Sequence, residues 1–171
     1  MRKIYLENHN EQWIHKFQQE IRLIKSFFNP EIVECYHIGS TAVRGLKAKP
    51  VIDIMISVKS INNVENYNKN FAKLGYDAKG EYGIKSRRFF TKGGDNRTFH
   101  LHIFESGNPE IEKHLCFRDA LINDKTFADK YEKLKSELCE KFSNNPEAYT
   151  EGKNNFIRSF LILKGVLSGS K

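Results

Sequence analysis

Residues 37–56 read HIGSTAVRGLKAKPVIDIMI, and this stretch decides the fold. A strand-like segment ends in a Gly39-Ser40 turn, a short basic segment follows, and a second strand carries one acid, Asp53. Glycine lets the backbone come close to a bound group, and the hydroxyls of Ser40 and Thr41 lie beside backbone N–H groups. Exposed backbone donors of this kind bind anions. The stretch therefore predicts two strands joined by a phosphate-binding turn.

The same stretch resembles the signature of the nucleotidyltransferase superfamily, in which a Gly-Ser pair precedes an acid on the next strand. The longer run at residues 37–43, with residues 48–54 after it, is similar to the GrpB family within that superfamily. The likeness continues over nearly the whole chain in further blocks, which are HLH at 100–102, HLCFRD at 114–119, YEKLK at 131–135 and EAY at 147–149. The resemblance implies a nucleotidyltransferase-like fold and a phosphate-bearing substrate.

Length and composition indicate one folded domain, which we place at residues 1–171. The hydrophobic share of 39% is typical of a globular protein and not of a disordered one. No apolar run approaches the roughly 20 residues that span a bilayer, and the first residues lack the apolar segment of a secretory signal. Three widely spaced cysteines argue against a disulfide framework and for a reducing compartment. We therefore expect a cytoplasmic protein that does not bind membranes.

The formal net charge of +7 favours an anionic ligand, although a well-solvated basic surface would also account for it. One group of cations follows the Gly-Ser turn and includes Lys49, and a second group surrounds Phe89 and Phe90. This second group consists of Lys79, Lys85, Arg87, Arg88, Lys92 and Arg97. The distribution predicts that positive charge gathers around the phosphate site. The two phenylalanines could stack a nucleobase or belong to a buried strand. We expect a small anionic or nucleotide substrate, with RNA as a second candidate ligand.

The order of the predicted elements favours an α+β domain. Strands are expected at 32–38, 51–58, 87–91 and 98–104, and the last two form a hairpin. Helices are expected at 13–28, 63–74, 110–122, 125–142 and 146–167. Strands in the first two-thirds and helices at the end predict a mixed β-sheet with helices packed on one face and a C-terminal group of helices. A doubly wound parallel sheet would need strands that alternate regularly with helices.

The period of two along a strand assigns side chains to faces of the sheet. In the strand at 51–58 every even-numbered residue is apolar, which leaves Asp53 and Met55 on the other face. In the strand at 98–104 the odd-numbered residues 99, 101 and 103 are apolar, which leaves His100 and His102 on the other face. If one sheet contains both strands, the acid and the two histidines open onto a common cleft. His37, just before the turn, could join them.

One carboxylate with neighbouring imidazoles is a candidate catalytic and metal-binding site. Asp53, His100 and His102 are the predicted catalytic residues. With His37, they are also the predicted ligands of a divalent metal, which would be Zn²⁺, Mn²⁺ or Mg²⁺. Histidine ligands favour zinc or manganese, because magnesium prefers oxygen ligands. The alternative is that the two histidines are simply the polar side of an exposed strand.

The chain departs from the superfamily pattern at Met55. Nucleotidyl transfer by the two-metal route needs two acids separated by one residue, and Met55 stands at the second position. Two functions are therefore open. One is a nucleotidyltransferase-like enzyme that transfers a nucleotidyl or phosphoryl group. The other is a catalytically silent module that binds a nucleotide or RNA in the same cleft.

Two cations interrupt apolar stripes on the late helices. Arg118 falls in a stripe that continues to Ile122, and Lys153 falls in one that continues through Leu163 to Leu167. Charges in such places cost stability unless they are paired or face a wet cavity. One interpretation is that both cations reach the cleft and bind phosphate. The alternative is that Arg118 pairs with Asp119 and that Lys153 extends its ammonium group to the surface. The predicted phosphate- or nucleotide-binding residues are Gly39, Ser40, Thr41, Lys49, Arg118 and Lys153.

Overall fold

A computed structural model describes residues 3–168, which form five strands and five α-helices. The strands are β1 Ile32–Ile38, β2 Ile52–Val58, β3 Tyr76–Ala78, β4 Arg87–Lys92 and β5 Phe99–Glu105. The helices are α1 Gln12–Phe28, α2 Asn68–Lys73, α3 Pro109–Asn123, α4 Lys125–Lys141 and α5 Pro146–Leu163. Two 3₁₀ segments, Ser40–Ala42 and Ile61–Tyr67, follow β1 and β2.

The five strands form one mixed sheet in the order β1-β2-β5-β4-β3. Strands β2 and β5 are parallel, and the other neighbouring pairs are antiparallel. The hairpin predicted at residues 87–104 is the β4–β5 pair. The α+β fold class predicted from the order of elements is therefore confirmed, and the sheet is not doubly wound.

Both faces of the sheet carry a hydrophobic cluster. On one face α1 and the segment at 61–73 cover the even-numbered residues of β2, and Trp13, Phe28 and Phe71 are buried there. On the other face α3 covers Met55, which is completely buried beside Phe104. Asp53 lies on the same face two residues nearer the start of β2, where its side chain stays partly exposed. The site is therefore at the uncovered end of this face.

A third cluster attaches the C-terminal helices to the segment that follows the Gly-Ser turn. Val43 and Leu46 are buried against Leu121 of α3 and against Ala128 and Tyr131 of α4. Aromatic side chains of α3, α4 and α5 complete this cluster. This packing places α4 and α5 against the segment that follows the turn. It therefore determines the positions of Lys135 on α4 and Lys153 on α5.

The helix starts follow from capping chemistry. Asn108, Asp124 and Asn145 precede α3, α4 and α5, and each accepts a hydrogen bond from a backbone N–H of the first turn. Such caps satisfy N–H groups that have no partner inside the helix. Proline follows two of them, at a position where its missing N–H costs nothing. The three late helices therefore begin within a residue of the positions expected from the sequence.

Three expectations about secondary structure and faces need correction. The helix predicted at 63–74 is a 3₁₀ segment followed by the short α2. Its sequence contains several asparagines, which have low helix propensity. Strand β3 was not expected, since its three residues become a strand only through pairing with β4. Each of the two predicted stripes contains an exposed residue. Ile122 and Leu163 are exposed, whereas Leu121 and Leu161 are buried.

Candidate functional site

The Gly39 turn lies directly against Asp53. Ile38 pairs with Asp53 in the β1–β2 register, so the turn begins beside the carboxylate. Gly39 has a φ of 71°, and a Cβ added there would lie 2.6 Å from Asp53 Oδ2. Side chains of L-residues rarely adopt this conformation, and the approach leaves no room for one. Glycine is therefore required here for two independent reasons, and it leaves the backbone open beside the acid.

Asp53 holds two histidines of the neighbouring strand. The parallel β2–β5 register places Asp53 opposite His100 and Met55 opposite His102. His100 Nδ1 lies 2.9 Å from Asp53 Oδ1, and His102 Nε2 lies 3.8 Å from the same oxygen. The structure thus brings together the three residues that the period of two placed on one face. Their catalytic role stays a prediction.

The histidines keep the Asp53 carboxylate ionised. Burial acts to raise the pKa of Asp53, but contacts with His100 and His102 outweigh it and hold this pKa well below its usual range. Burial lowers the pKa of His102 to about 4, and Asp53 offsets only part of this effect. Burial likewise lowers the pKa of His37 to about 4. At neutral pH the site therefore contains a carboxylate beside the neutral imidazole of His102.

Hydrogen bonds assign the ring protons of the two β5 histidines. Arg87 Nη1 lies 3.3 Å from His102 Nδ1, and a guanidinium only donates, so Nδ1 accepts and the proton of His102 is on Nε2. His100 uses Nδ1 to donate to Asp53. His100 Nε2 is buried and has no hydrogen-bond partner among residues 3–168. This nitrogen is the one unpaired polar atom of the Asp53 cluster that the structure describes.

The expected metal ligands do not all meet. His37 points its Nε2 to Thr41 Oγ1 at 3.0 Å and stacks on Phe17, with 4.8 Å between the ring centroids. Within the described part of the chain, no three His, Cys, Asp or Glu side chains are arranged so that they could hold a metal ion. Asp53 offers one carboxylate, and the His100 contact already occupies one of its oxygens. Divalent metal binding stays a prediction.

Three lysines from different segments lie within electrostatic reach of one another. Lys135 of α4 is buried and donates from Nζ to Ser40 Oγ at 3.1 Å and to the backbone carbonyl of Lys47. Lys153 Nζ of α5 and Lys49 Nζ lie 4.7 Å and 4.9 Å from the centre of the Tyr149 ring. Both predicted lysines, Lys49 and Lys153, thus contact the same ring, and Lys153 also lies within electrostatic reach of Asp53 and Lys135. Lys135 alone contacts the turn directly.

Burial and mutual repulsion lower the pKa values of Lys135 and Lys153. Burial, with a contribution from Lys49, lowers the pKa of Lys135 to about 8. Burial lowers the pKa of Lys153 to about 7, and repulsion from Lys49 and Lys135 adds to it while Asp53 opposes it. Such repulsion between close cations is relieved when an anion binds among them.

Lys135 is not among the predicted site residues, although the sequence contains a signal for it. Lys135 follows Ala128 and Tyr131 at helical spacing, and these three residues are the buried face of α4. A lysine in that stripe is the same anomaly that singled out Lys153. Its contact with Ser40 depends on how α4 packs, and the stripe does not show it. Arg87, the partner of His102, was included in the basic group but had no assigned role.

Other predicted site residues have different partners. Arg118 pairs with Asp119 at 2.6 Å, which is the alternative that the sequence offered, and its Nη1 donates to the His37 carbonyl at 3.2 Å. Thr41 is buried, and its hydroxyl contacts His37. A phosphate-binding role for Arg118 and Thr41 stays a prediction, and each would have to change or share a contact to fulfil it.

The expectation that the second basic group surrounds the phosphate site is wrong in part. Arg87 lies on the same face of the sheet as His102, as the β4–β5 register requires. Arg88 and Lys92 lie on the opposite face, where they pair with Glu65 and Glu20. Consecutive strand residues alternate between faces, so a cluster of charges in the sequence is divided between two surfaces.

Comparisons with known proteins agree with this architecture. A family model described as GrpB protein matches residues 3–162. The chain belongs to the GrpB family. It is 32% identical to the glutamate-rich protein GrpB of Alkalihalophilus pseudofirmus over 93% of this chain and 94% of that protein. It is also 41% identical to UPF0157 protein YqkA of Bacillus subtilis over 92% of this chain, and it spans less than half, 46%, of that relative's length.

Solved structures place the GrpB chain within the nucleotidyltransferase-like fold. The crystal structure of conserved protein GrpB from Enterococcus faecalis matches with a TM-score of 0.88 and 32% identity, over 95% of this chain and 96% of that one. The structure of Cid1 in complex with the UTP analogue UMPNPP matches with a TM-score of 0.54 and 13% identity, over 85% of this chain and 48% of Cid1. This second likeness shows the fold, which the resemblance had predicted.

No helix within residues 3–168 combines the length and the apolar character needed to cross a bilayer.

Proposed function

We propose that the turn at residues 39–42 and the lysines around it bind the phosphate groups of a nucleotide. The observation that carries this proposal is a group of three interacting lysines, of which Lys135 contacts Ser40 while Lys49 and Lys153 contact the Tyr149 ring. Assembling cations in a partly buried place costs free energy, and the lowered pKa values of Lys135 and Lys153 express that cost. An anion with several charges, such as a di- or triphosphate, compensates it.

The turn supplies donors that complement the lysines. The first hydrogen bond inside the 3₁₀ segment is donated by Ala42 N to the Gly39 carbonyl. The N–H groups of Ser40 and Thr41 precede it, at the end of a helical turn where backbone donors are free for an anion. The hydroxyl of Ser40 accepts from Lys135 and can donate its own proton to a phosphate oxygen. Phosphate would thus meet neutral donors and cations together.

Transfer of a nucleotidyl or phosphoryl group is a second candidate function at the same site, and the position of Asp53 favours it. The carboxylate is ionised and lies against the turn, where it would be close to bound phosphate. One carboxylate with phosphate oxygens is a donor set that Mg²⁺ uses, whereas a cage made only of protein ligands does not fit these residues. A divalent cation bound there would neutralise charge on the phosphoryl group.

The residues around Asp53 have distinct tasks in this proposal. His100 orients the carboxylate through its hydrogen bond, and Arg87 fixes the tautomer of His102. Met55 argues for the silent alternative, because it is completely buried at the position where the two-metal route needs a second acid. A site that binds a nucleotide without transferring it would need the lysines and the turn but not Asp53.

Isothermal titration of the purified protein with inorganic tripolyphosphate and with UTP or ATP tests the binding proposal. Lys135→Met and Lys153→Met should each weaken binding of both ligands. Lys133→Met is the matched control, because Lys133 is exposed on the same helix two residues before Lys135. Raising the salt concentration should weaken binding further, since the contacts are charged. Binding that is equal in all three variants would refute the proposal.

Transfer is tested separately with α- and γ-labelled nucleotides in the presence of Mg²⁺ or Mn²⁺. An enzyme should release pyrophosphate or move the labelled phosphoryl group, and Asp53→Asn should abolish this activity. Tight nucleotide binding without any labelled product would favour the silent module.

A further inference from the structure

Tyr82 is an exposed aromatic residue in a strained conformation. Its φ is 45°, in the left-handed region that residues with bulky side chains rarely adopt. Its side chain is 65% exposed, so folding gains little from burying it. A strained residue persists only where its surroundings hold it, and such residues cluster at functional sites. The contacts around Tyr82 show which residues hold its backbone and which residues connect its ring to the Asp53 cluster.

Arg87 fixes the loop that carries Tyr82. Its Nη2 donates to the Tyr82 carbonyl at 2.6 Å, and its Nε donates to the Glu81 carbonyl at 3.1 Å. The same guanidinium contacts His102 Nδ1. Ser86 N donates to the Glu81 carboxylate at 2.6 Å, which closes the loop on itself. The backbone of Tyr82 is therefore tied to the Asp53 cluster by one buried cation.

The ring of Tyr82 is the outermost member of an aromatic column. It stacks on Phe89 with 5.2 Å between the centroids and 20° between the planes. Phe89 is buried and lies 5.5 Å from the His100 ring and 5.0 Å from the His102 ring. His100 in turn contacts Asp53, which touches the Gly39 turn. The column thus connects the phosphate site to an aromatic surface that is open on one side.

We propose that the outer face of the Tyr82 ring is a stacking platform for the base of the nucleotide whose phosphates bind at the Gly39 turn. This inference rests on the proposed function and adds to it the recognition of the nucleobase. Phe89 covers the inner face of the Tyr82 ring, so a base can stack only on the outer one. Stacking on an aromatic face tolerates every base, because each base has a π-surface. The platform gives affinity for nucleotides in general and no choice among them.

The test compares ligands with and without a base. In isothermal titration, Tyr82→Ala should weaken binding of UTP and ATP by about 5- to 150-fold, the range that the loss of one base–aromatic stack produces. Binding of inorganic tripolyphosphate should not change. Tyr82→Phe should bind like the wild type, because the ring is what matters. Tyr5→Ala is the control for removing an exposed tyrosine elsewhere, since Tyr5 is 53% exposed.

The outcomes separate this inference from the proposal beneath it. If tripolyphosphate binds and UTP or ATP binds no tighter, or if Tyr82→Ala leaves the nucleotides unaffected, the platform is refuted while the phosphate site stands. If neither ligand binds, the phosphate site is refuted and the platform with it. A short single-stranded oligonucleotide without a triphosphate forms the last arm. Loss of its binding in Tyr82→Ala would support the platform and assign the base to a nucleic acid strand as well as to a free nucleotide.

Discussion

Replacement of Lys135 by methionine tests whether this lysine is present for a ligand or for the fold. Lys135 is 2% exposed, and methionine has a similar volume without the charge. We expect Lys135→Met to weaken tripolyphosphate binding while leaving the free energy of unfolding nearly unchanged. Such a result would mean that the buried Lys135 charge does not stabilise the fold and that its role is to bind the ligand.

The expected stability follows from two opposing terms. Burial lowers the pKa of Lys135 to about 8, and each unit below the ordinary value of about 10.4 corresponds to about 1.4 kcal/mol. At neutral pH the charged form therefore costs the folded state about 3 kcal/mol. The substitution also removes hydrogen bonds to Ser40 and to the Lys47 carbonyl, and an unpaired buried carbonyl costs about 1–3 kcal/mol. The net change should stay within about 2 kcal/mol.

Urea denaturation of wild type and Lys135→Met at several pH values measures this balance. Because the pKa of Lys135 is lower in the folded than in the unfolded protein, the unfolded state binds more protons between about pH 8 and pH 10. The penalty is therefore fully present below pH 8 and disappears as the pH rises through this window. Wild type should gain stability relative to Lys135→Met over the same window, and Lys133→Met should behave like the wild type.

Two results would contradict this reasoning. A loss of more than about 3 kcal/mol at pH 7 with tripolyphosphate binding intact would identify Lys135 as a structural cation whose removal leaves partners unpaired. Equal pH dependence in wild type and Lys135→Met would show that the lysine ionises as it does in water.

Further predictions concern the turn, the acid and the pH dependence of binding. Gly39→Ala should cost at least about 1–2 kcal/mol and abolish tripolyphosphate binding, because its φ is 71° and its Cβ would meet Asp53; an unchanged melting temperature would contradict this. Asp53→Asn should destabilise the protein at pH 7 by weakening the His100 contact. This difference should be present above about pH 4, the ordinary pKa of the carboxyl, and shrink as the pH falls below it, whereas a pH-independent difference would exclude an ionic cause. Tripolyphosphate affinity should fall as the pH rises through about 7 to 8, where Lys153 and Lys135 lose their protons in the free protein, and titration at pH 6 and pH 9 checks the sign.

The common face of Asp53, His100 and His102 could be predicted because it depends on local geometry. Side chains alternate along any strand, so apolar even-numbered residues in β2 and apolar odd-numbered residues in β5 suffice to place the polar ones. The turn at Gly39 could be predicted because a glycine followed by serine between two strand-like segments is typical of a turn. The distance between Asp53 and His100 could not be predicted. These residues are 47 positions apart in the sequence, and only the parallel register of β2 and β5 brings their side chains to 2.9 Å.

The histidine that failed to join the cluster illustrates the limit of this reasoning. His37 is on the correct strand, but its ring turns to Thr41 and Phe17. Ile38 pairs with Asp53 in the β1–β2 register, and His37 pairs with Ile54, so His37 lies on the face of the sheet opposite Asp53, against α1. The sequence does not show this register.

By itself, then, the sequence determined the α+β class, the glycine turn and the polar face of two strands, because each follows from interactions between residues close along the chain. The tertiary structure alone decided that Lys135 reaches Ser40, that Arg87 joins Tyr82 to His102, and that Arg88 and Lys92 lie on the opposite face. These contacts depend on strand register and on how α4 packs against the turn. Both are set by burying apolar surface over the whole domain, which determines where the charged groups come to lie.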